Sequence, residues 1–153
     1  MSDESQQPQT HRQLAVELFN RTWELLDKET RSDEDKAEML TTAFASRYHW
    51  RQAGDATNFS VGDWQISRVA AVIGYPDLAL EYGKRSLHVA SLAGLGPFYV
   101  GYAHEALARA ARLAGNRDDV AEQLELGREM LGQVEDAAER DLLAADLDEI
   151  GGA

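Results

Sequence analysis

Apolar side chains recur along most of the chain at the spacing of three and four residues that is typical of amphipathic helices. The alternation of β-branched and polar residues that marks a half-buried strand is missing throughout. Glycines and short polar stretches divide the apolar pattern into segments, and no proline interrupts one of them. The pattern therefore predicts an all-α protein of about seven helices, at about residues 11–28, 32–54, 60–73, 76–92, 97–114, 116–132 and 134–150.

Residues with capping chemistry indicate where several of these helices begin and end. Ser32 is followed three residues later by Asp35, which is the spacing of a capping box. Asn116 also has an acidic residue three positions further on. Gly74 and Gly115 each follow an apolar segment, where glycine commonly ends a helix. The resulting loops are short, and short loops favour antiparallel neighbouring helices.

The length of 153 residues suits one domain that buries its own core. Residues 1–9 are polar and predict a disordered N-terminal tail, which leaves residues 10–153 as the domain. No signal peptide is expected from this tail, and no apolar run approaches the roughly 20 residues that span a bilayer. The chain has no cysteine, which excludes disulfides and thiolate metal sites, and a cytoplasmic location is expected.

Acidic residues dominate the charge of the chain. There are 27 Asp and Glu residues against 15 Lys and Arg residues, so the formal net charge is −12. A field of this sign repels phosphate backbones, and a nucleic-acid partner is therefore not expected. Arginines that gather on one face are more informative against such a background.

The chain shows an internal repeat when it is aligned with itself so that Gly74 matches Gly115. We call the shift between these two residues the repeat offset. The same shift brings Arg68 onto Arg109. The other matched pairs are Ile66 with Leu107, Ser67 with Ala108, Ala70 with Ala111, Asp77 with Asp118, Ala79 with Val120, Glu81 with Glu122 and Ser86 with Gly127. A fixed period of this kind is typical of helical repeat proteins, in which similar helix pairs stack on one another.

The two units, over about residues 60–131, resemble the tetratricopeptide-repeat (TPR) family in their small residues and in the glycine turn. Their period is longer than the family's period of about 34 residues, and Asp63 and His104 occupy the place of its early tryptophan. The resemblance implies antiparallel helix pairs stacked as a short right-handed solenoid, with the first two helices as a degenerate unit. It also implies a protein- or peptide-binding module without catalytic activity or cofactor.

In the TPR family the first helix of each pair lines a concave groove, so the resemblance implies which residues face a partner. These are Val61, Trp64, Arg68 and Ala71 in one unit and Tyr102, Glu105, Arg109 and Arg112 in the next, with Gln65 at the rim. Arginine suits a carboxylate, and Trp and Tyr offer flat contact area. An extended peptide, an acidic segment or a C-terminal carboxylate is the expected partner. Alternatively, the arginines pair with acids of their own surface, as Glu105 and Arg109 could at i,i+4.

The stretch RYHWR, from Arg47 to Arg51, concentrates aromatic and basic side chains near the predicted end of the second helix. Cations at this end of a helix complement the negative end of its dipole, which accounts for His49 as well as the two arginines. Tyr48 and Trp50 point to different faces and can pack on adjacent helices. A structural role is therefore predicted for all five residues.

Two other functions stay open at the level of the sequence. A small-ligand or metal-dependent enzyme could use a pocket around His49, Trp64 and His104, with His88 as a further ligand, although no spacing such as HExxH is present. A homo-oligomer could bury the alanine-rich face of the fifth helix against a second copy. No catalytic residue, metal ligand or cofactor is assigned from the sequence.

Overall fold

The structure is a computed structural model that describes residues 9–152. Helices make up most of this range. The seven helices are α1 (His11–Leu26), α2 (Asp33–Ala53), α3 (Ala56–Ile73), α4 (Pro76–Leu92), α5 (Pro97–Ala114), α6 (Arg117–Leu131) and α7 (Ala137–Gly151). No strand is present between residues 9 and 152, so the all-α prediction is confirmed. Within the same range, no helix has the length and apolar composition needed to cross a membrane. The predicted tail lies outside the described residues except for Gln9.

The capping residues that the sequence indicated are confirmed. The Ser32 hydroxyl accepts a hydrogen bond from the Asp35 backbone N–H at 3.1 Å, and the Asp35 carboxylate accepts one from the Ser32 N–H at 3.0 Å. Asn116 caps α6 through its side-chain oxygen. Gly74 and Gly115 follow α3 and α5 with φ angles of 91° and 77°, in the left-handed region that glycine adopts most easily.

Two helices begin at residues other than those predicted. The start of α3 is Ala56 instead of about residue 60, because Asp55 caps the helix. The Asp55 carboxylate accepts a bond from the Asn58 N–H, and the Asn58 side chain accepts one from the Asp55 N–H. Asparagine thus completes a capping box that normally ends in Glu or Gln. The start of α7 is Ala137 instead of residue 134, because Asp136 is its cap.

Consecutive helices pair as antiparallel hairpins through small side chains. Between α3 and α4, the Ser60 hydroxyl donates to the Ser86 carbonyl at 3.0 Å, and the Ser67 hydroxyl donates to the Ala79 carbonyl at 2.7 Å. The two helices run antiparallel because the later residue of α3 meets the earlier residue of α4. The α1–α2 and α5–α6 pairs also pack against each other, and each hairpin contacts the next.

The helices α1, α3, α5 and α7 lie side by side and form one surface, which we call the odd-helix face. The Trp64 ring of α3 lies 5.8 Å from the Trp23 ring of α1, and its indole N–H reaches Glu105 of α5. Each of these two partners lies one repeat offset, which is 41 residues, from Trp64. Ala70 and Ala110 share a buried cluster further along α3 and α5, so the offset is nearly constant and these helices run parallel. The last helix, α7, packs against α5 and α6.

Two apolar clusters hold the helices in place around this face. The first lies between α1, α2 and α3 and contains Leu25, Met39, Ala43, Ile66 and Val69. The second consists of Val134, Leu143 and Leu147, against which partly buried side chains of α5 and α6 pack. The second cluster fixes α7 beside α5, and this position determines which residues α7 adds to the odd-helix face.

The alanine-rich face of α5 is buried inside the chain. Its members are Ala103, Ala106, Ala108, Ala110 and Ala111. The prediction that this face could be buried against a second copy is therefore wrong, because α3, α4, α6 and α7 already pack against α5. Small side chains at these positions allow helices to approach α5 closely from several sides.

Candidate binding pocket

Glu105 is a fully buried carboxylate on the odd-helix face, and three side chains donate hydrogen bonds to it. The Trp64 indole N–H donates to Oε2 at 2.8 Å. Arg109 donates to Oε1 from Nε at 2.9 Å and from Nη2 at 2.7 Å, and Arg68 Nη1 lies 3.4 Å from the same oxygen. A buried charge is tolerated only when it is paired and hydrogen-bonded, and these four residues, the Glu105 cluster, meet both conditions.

The repeat offset between odd helices explains why these residues meet. Glu105 occupies the position one repeat offset after Trp64, so the parallel helices α3 and α5 bring the two side chains together. The same spacing leads back to Trp23 on α1 and forward to Asp146 on α7. The row Trp23, Trp64, Glu105 and Asp146 therefore crosses the odd-helix face from its first helix to its last.

A pocket of about 280 Å³ opens on the odd-helix face beside this row, and we call it the aromatic pocket. Its lining residues are Trp23, Ser60, Val61, Trp64, Ser86, Phe98, Tyr99, Tyr102, Leu142 and Asp146. Every odd helix contributes to this lining, and α4 contributes Ser86. Five of the ten residues are aromatic, and Asp146 is the only ionisable carboxylate among them.

The aromatic rings of the pocket hold one another in position. The Trp64 and Tyr102 ring centroids are 5.5 Å apart with an interplanar angle of 78°, and the Phe98 and Tyr102 centroids are 5.1 Å apart at 77°. Edge-to-face pairs of this kind stabilise their own geometry beyond the area they bury. The Tyr102 ring therefore meets both of its neighbours at a steep angle, on a scaffold that is already packed.

Tyr102 joins the pocket to α7. Its hydroxyl donates to Asp146 Oδ2 at 2.7 Å. Burial raises the pKa of Tyr102 well above its ordinary value, and the hydrogen bond to Asp146 raises it further, because both disfavour the phenolate. Tyr102 is consequently a neutral hydrogen-bond donor at physiological pH, and it fixes the Asp146 carboxylate at the pocket wall.

The residues predicted to bind a peptide divide into three groups. Trp64 and Tyr102 line the aromatic pocket, whereas Arg68, Glu105 and Arg109 form the cluster next to it. The predicted i,i+4 pair of Glu105 with Arg109 is confirmed, but it is buried and not exposed.

Arg112 and Gln65 make other contacts. Arg112 donates to the backbone carbonyl of Glu149 at 3.0 Å and so caps the C-terminal end of α7. Gln65 is fully buried and not at a rim: its Nε2 donates to the Phe19 carbonyl, and its Oε1 has no partner among the described residues. These two side chains hold helices in place, at positions where the resemblance implied contact with a partner.

Sequence reasoning missed seven of the ten residues that line the pocket, namely Trp23, Ser60, Ser86, Phe98, Tyr99, Leu142 and Asp146. Two of them follow from a signal that was present. The repeat offset leads from Trp64 to Trp23 and from Glu105 to Asp146. Phe98 and Tyr99 belong to the first turn of α5, where the repeat does not predict aromatic residues.

The histidines do not assemble into one site. His49 Nδ1 lies 2.8 Å from His11 Nδ1, and His104 Nδ1 lies 2.8 Å from Gln123 Oε1. Neither His49 nor His104 lines the aromatic pocket with Trp64, and His88 lines a surface hollow beside Arg47. In residues 9–152, no group of three or more His, Cys, Asp or Glu side chains is placed to hold a metal ion.

The RYHWR stretch is only partly a helix-end feature. Trp50 is buried, with the Arg12 guanidinium over its ring, whereas Tyr48 is 58% exposed. Arg47 does not serve the helix end: its Nε donates to Asp63 of α3 at 2.8 Å. Burial of Asp63 raises the pKa of its carboxyl despite the opposing effect of Arg47. The stretch thus joins α2 to α1 of its own hairpin and to α3 of the next one.

Comparison with protein-family models, with curated proteins and with solved structures gave no match. The described fold and pocket define only a class: an all-α protein whose parallel odd helices hold an aromatic pocket over a buried carboxylate.

Proposed function

We propose that the chain is a TPR-like helical-repeat module, a short right-handed solenoid that binds a protein or peptide on the odd-helix face. The near-constant offset between α3 and α5 supports the repeat. The turns support it as well, since the Tyr75 N–H donates to the Ala70 carbonyl at 2.8 Å and the Asn116 N–H donates to the Ala111 carbonyl at 3.0 Å. The repeat offset separates the two donors from each other, and it also separates the two acceptors.

The aromatic pocket is the observation that carries the binding function. Its volume of about 280 Å³ lies just below the range for small-molecule sites, which begins at roughly 300 Å³. A cavity of this size suits one anchor side chain of an extended peptide. Tryptophan and tyrosine side chains, such as Trp64 and Tyr102, are among the residues that most often dominate binding energy at interfaces.

The arginines have a different part in this proposal from the one the sequence suggested. Arg68 and Arg109 both contact Glu105, so a peptide carboxylate would have to compete with a buried internal carboxylate for them. We assign to these arginines the positioning of Glu105 and Trp64, and to the aromatic pocket the contact with the partner. An apolar or aromatic surface, and not a cationic one, is then what the anchor meets.

A blocked pocket tests the proposal. Leu142 lines the pocket and is 59% exposed, so Leu142→Trp narrows its mouth without disturbing the core. Leu92→Trp is the matched control, because Leu92 is 76% exposed on α4 and does not line the pocket. Peptides selected from a random display library on the wild type are expected to bind Leu92→Trp equally and Leu142→Trp at least tenfold more weakly. No selection, or equal binding to all three proteins, would overturn the proposal.

A further inference from the structure

We propose that the anchor which enters the aromatic pocket is a methylated lysine side chain, that is, an alkylated ammonium carried by a peptide. This inference depends on the proposed peptide-binding function and specifies its ligand. Three properties of the pocket lead to it: an unbalanced carboxylate, aromatic walls and the lack of a second charged hydrogen-bond acceptor.

The charges around the pocket leave one carboxylate without a cation. Arg68 and Arg109 are the guanidiniums of the Glu105 cluster, and Arg109 Nη1 also lies 3.7 Å from Glu149. Asp146, at the pocket wall, pairs with neither of these two guanidiniums. Asp146 is the unbalanced one, since its only hydrogen bond within residues 9–152 comes from the neutral Tyr102 hydroxyl and no Lys, Arg or His there pairs with it. A negative charge at a pocket wall attracts a cation.

The aromatic walls suit a cation that is weakly hydrated. The rings of Trp23, Trp64, Phe98 and Tyr102 line the same pocket, with adjacent centroids 5.1–5.8 Å apart. Electron-rich ring faces attract ammonium groups within about 6 Å, and cages of such rings recognise methylated ammonium groups. Tyr102 meets Trp64 and Phe98 at steep angles, and such walls surround a roughly spherical head group better than a flat one.

The single charged acceptor favours the methylated form over a plain lysine. An unmodified ammonium group has three N–H donors and is strongly hydrated. The pocket offers the Asp146 carboxylate, which already accepts from Tyr102, and the neutral hydroxyls of its serines and tyrosines. Asp146 is therefore the only charged acceptor among the residues that line the pocket. Methyl groups on the nitrogen remove the need for acceptors and keep the positive charge.

A pair of peptides that differ only in charge tests the inference. We would titrate a short Gly–Ala peptide with one central trimethyllysine, and the same peptide with the neutral tert-butyl isostere, while recording the indole N–H signals by NMR. Trimethyllysine is expected to bind at least tenfold more tightly than the isostere. The indole signals of Trp23 and Trp64 are expected to shift, and that of Trp50, which does not line the pocket, is expected to stay constant.

Two variants of α7 isolate the role of the carboxylate. Asp146→Asn is expected to weaken trimethyllysine binding about tenfold and to leave the binding of the isostere unchanged. Asp141→Asn removes the same charge from the exposed side of α7 and is expected to change neither. Equal losses in the two variants would mean that only the overall negative charge attracts the peptide, which would overturn the inference.

The remaining outcomes separate this inference from the binding function. Equal affinity for both peptides would overturn the cationic anchor and leave an apolar pocket that still binds peptides. If neither peptide binds but library peptides still bind in the pocket, the cationic anchor is rejected and the peptide-binding function is kept. If free tetramethylammonium binds as tightly as the trimethyllysine peptide, the ligand is a small ion and the peptide source is rejected.

Discussion

The α3–α4 and α5–α6 hairpins have the same turn, but they carry different residues on the odd-helix face. Gly74 and Gly115 adopt similar left-handed conformations, and the hydrogen bonds around them match. At equivalent positions on the odd-helix face, however, Trp64 is replaced by Glu105 and Val61 by Tyr102. Small residues and glycines thus define the scaffold, and the positions that differ between units define the site.

The difference between the units is required by their contact. Because α3 and α5 lie side by side with an offset of 41 residues, equivalent positions touch each other. Trp64 can donate to Glu105 only because the two units carry different residue types at this equivalent position. At another shared position both units carry arginine, namely Arg68 and Arg109. Their like charges approach one another only because Glu105 accepts from both. A repeat with identical units could not build this cluster.

The largest effect is expected from the position that joins the units. Glu105→Ala leaves the buried guanidinium of Arg109 without its carboxylate, and the free energy of unfolding should fall by about 3–5 kcal/mol. Urea denaturation measures this loss. Glu149→Ala is the control, since that carboxylate is 56% exposed and 3.7 Å from Arg109, and it should cost less than about 1 kcal/mol. Similar losses for both variants would contradict the role assigned to Glu105.

The shared turns should respond alike. Gly74→Ala and Gly115→Ala should each lower the free energy of unfolding by about 1–2 kcal/mol, because each places a side chain in the left-handed conformation while the surrounding space is open. Gly96→Ala is the control, since Gly96 has an ordinary φ of −65° and also has open space around it. Urea midpoints of the three variants provide the comparison. A large difference between the two turn variants would show that the hairpins are not equivalent.

A smaller effect is expected from the hydroxyl of Tyr102, which has no counterpart at the equivalent residue, Val61. Tyr102→Phe removes the hydrogen bond to Asp146 and should cost about 1 kcal/mol in thermal or urea unfolding. Tyr99→Phe is the matched control in the same pocket, because the Tyr99 hydroxyl makes no hydrogen bond to the described residues. An equal response of both variants would remove Tyr102 as the link between the pocket and α7.

The sequence predicted the helices better than the site, and particular residues show why. Capping by Ser32 and Asn116 is local chemistry, so the sequence alone predicted it. The cap at Asp55 was missed because asparagine stands where Glu or Gln is expected. Trp64 and Tyr102 were predicted from the face that each helix presents to its neighbours, and both line the aromatic pocket.

The surroundings of the site could not be predicted from single helices. The burial of Glu105 depends on α3 and α5 packing together, and the position of Asp146 depends on α7 docking beside α5. Arg112 pointed to a partner in the sequence, but α7 supplies the carbonyl groups that it contacts. The repeat offset was the one signal that reached beyond a single helix, and it leads directly to Trp23 and Asp146.

The smallest expected effect is the pH dependence of stability that comes from Asp63, whose equivalent in the next unit is His104. Burial raises the pKa of Asp63 above its ordinary value of 3.8, even though Arg47 pairs with it. A carboxyl whose pKa is higher in the folded state contributes stability that is fully present below the unfolded pKa and is lost as pH rises through the folded pKa. The stability of the wild type relative to Asp63→Asn should therefore decrease from about pH 3.5 towards neutrality. Urea midpoints at several pH values, with an NMR titration of the Asp63 carboxyl carbon, measure this change, and a relative stability that increases with pH would contradict it.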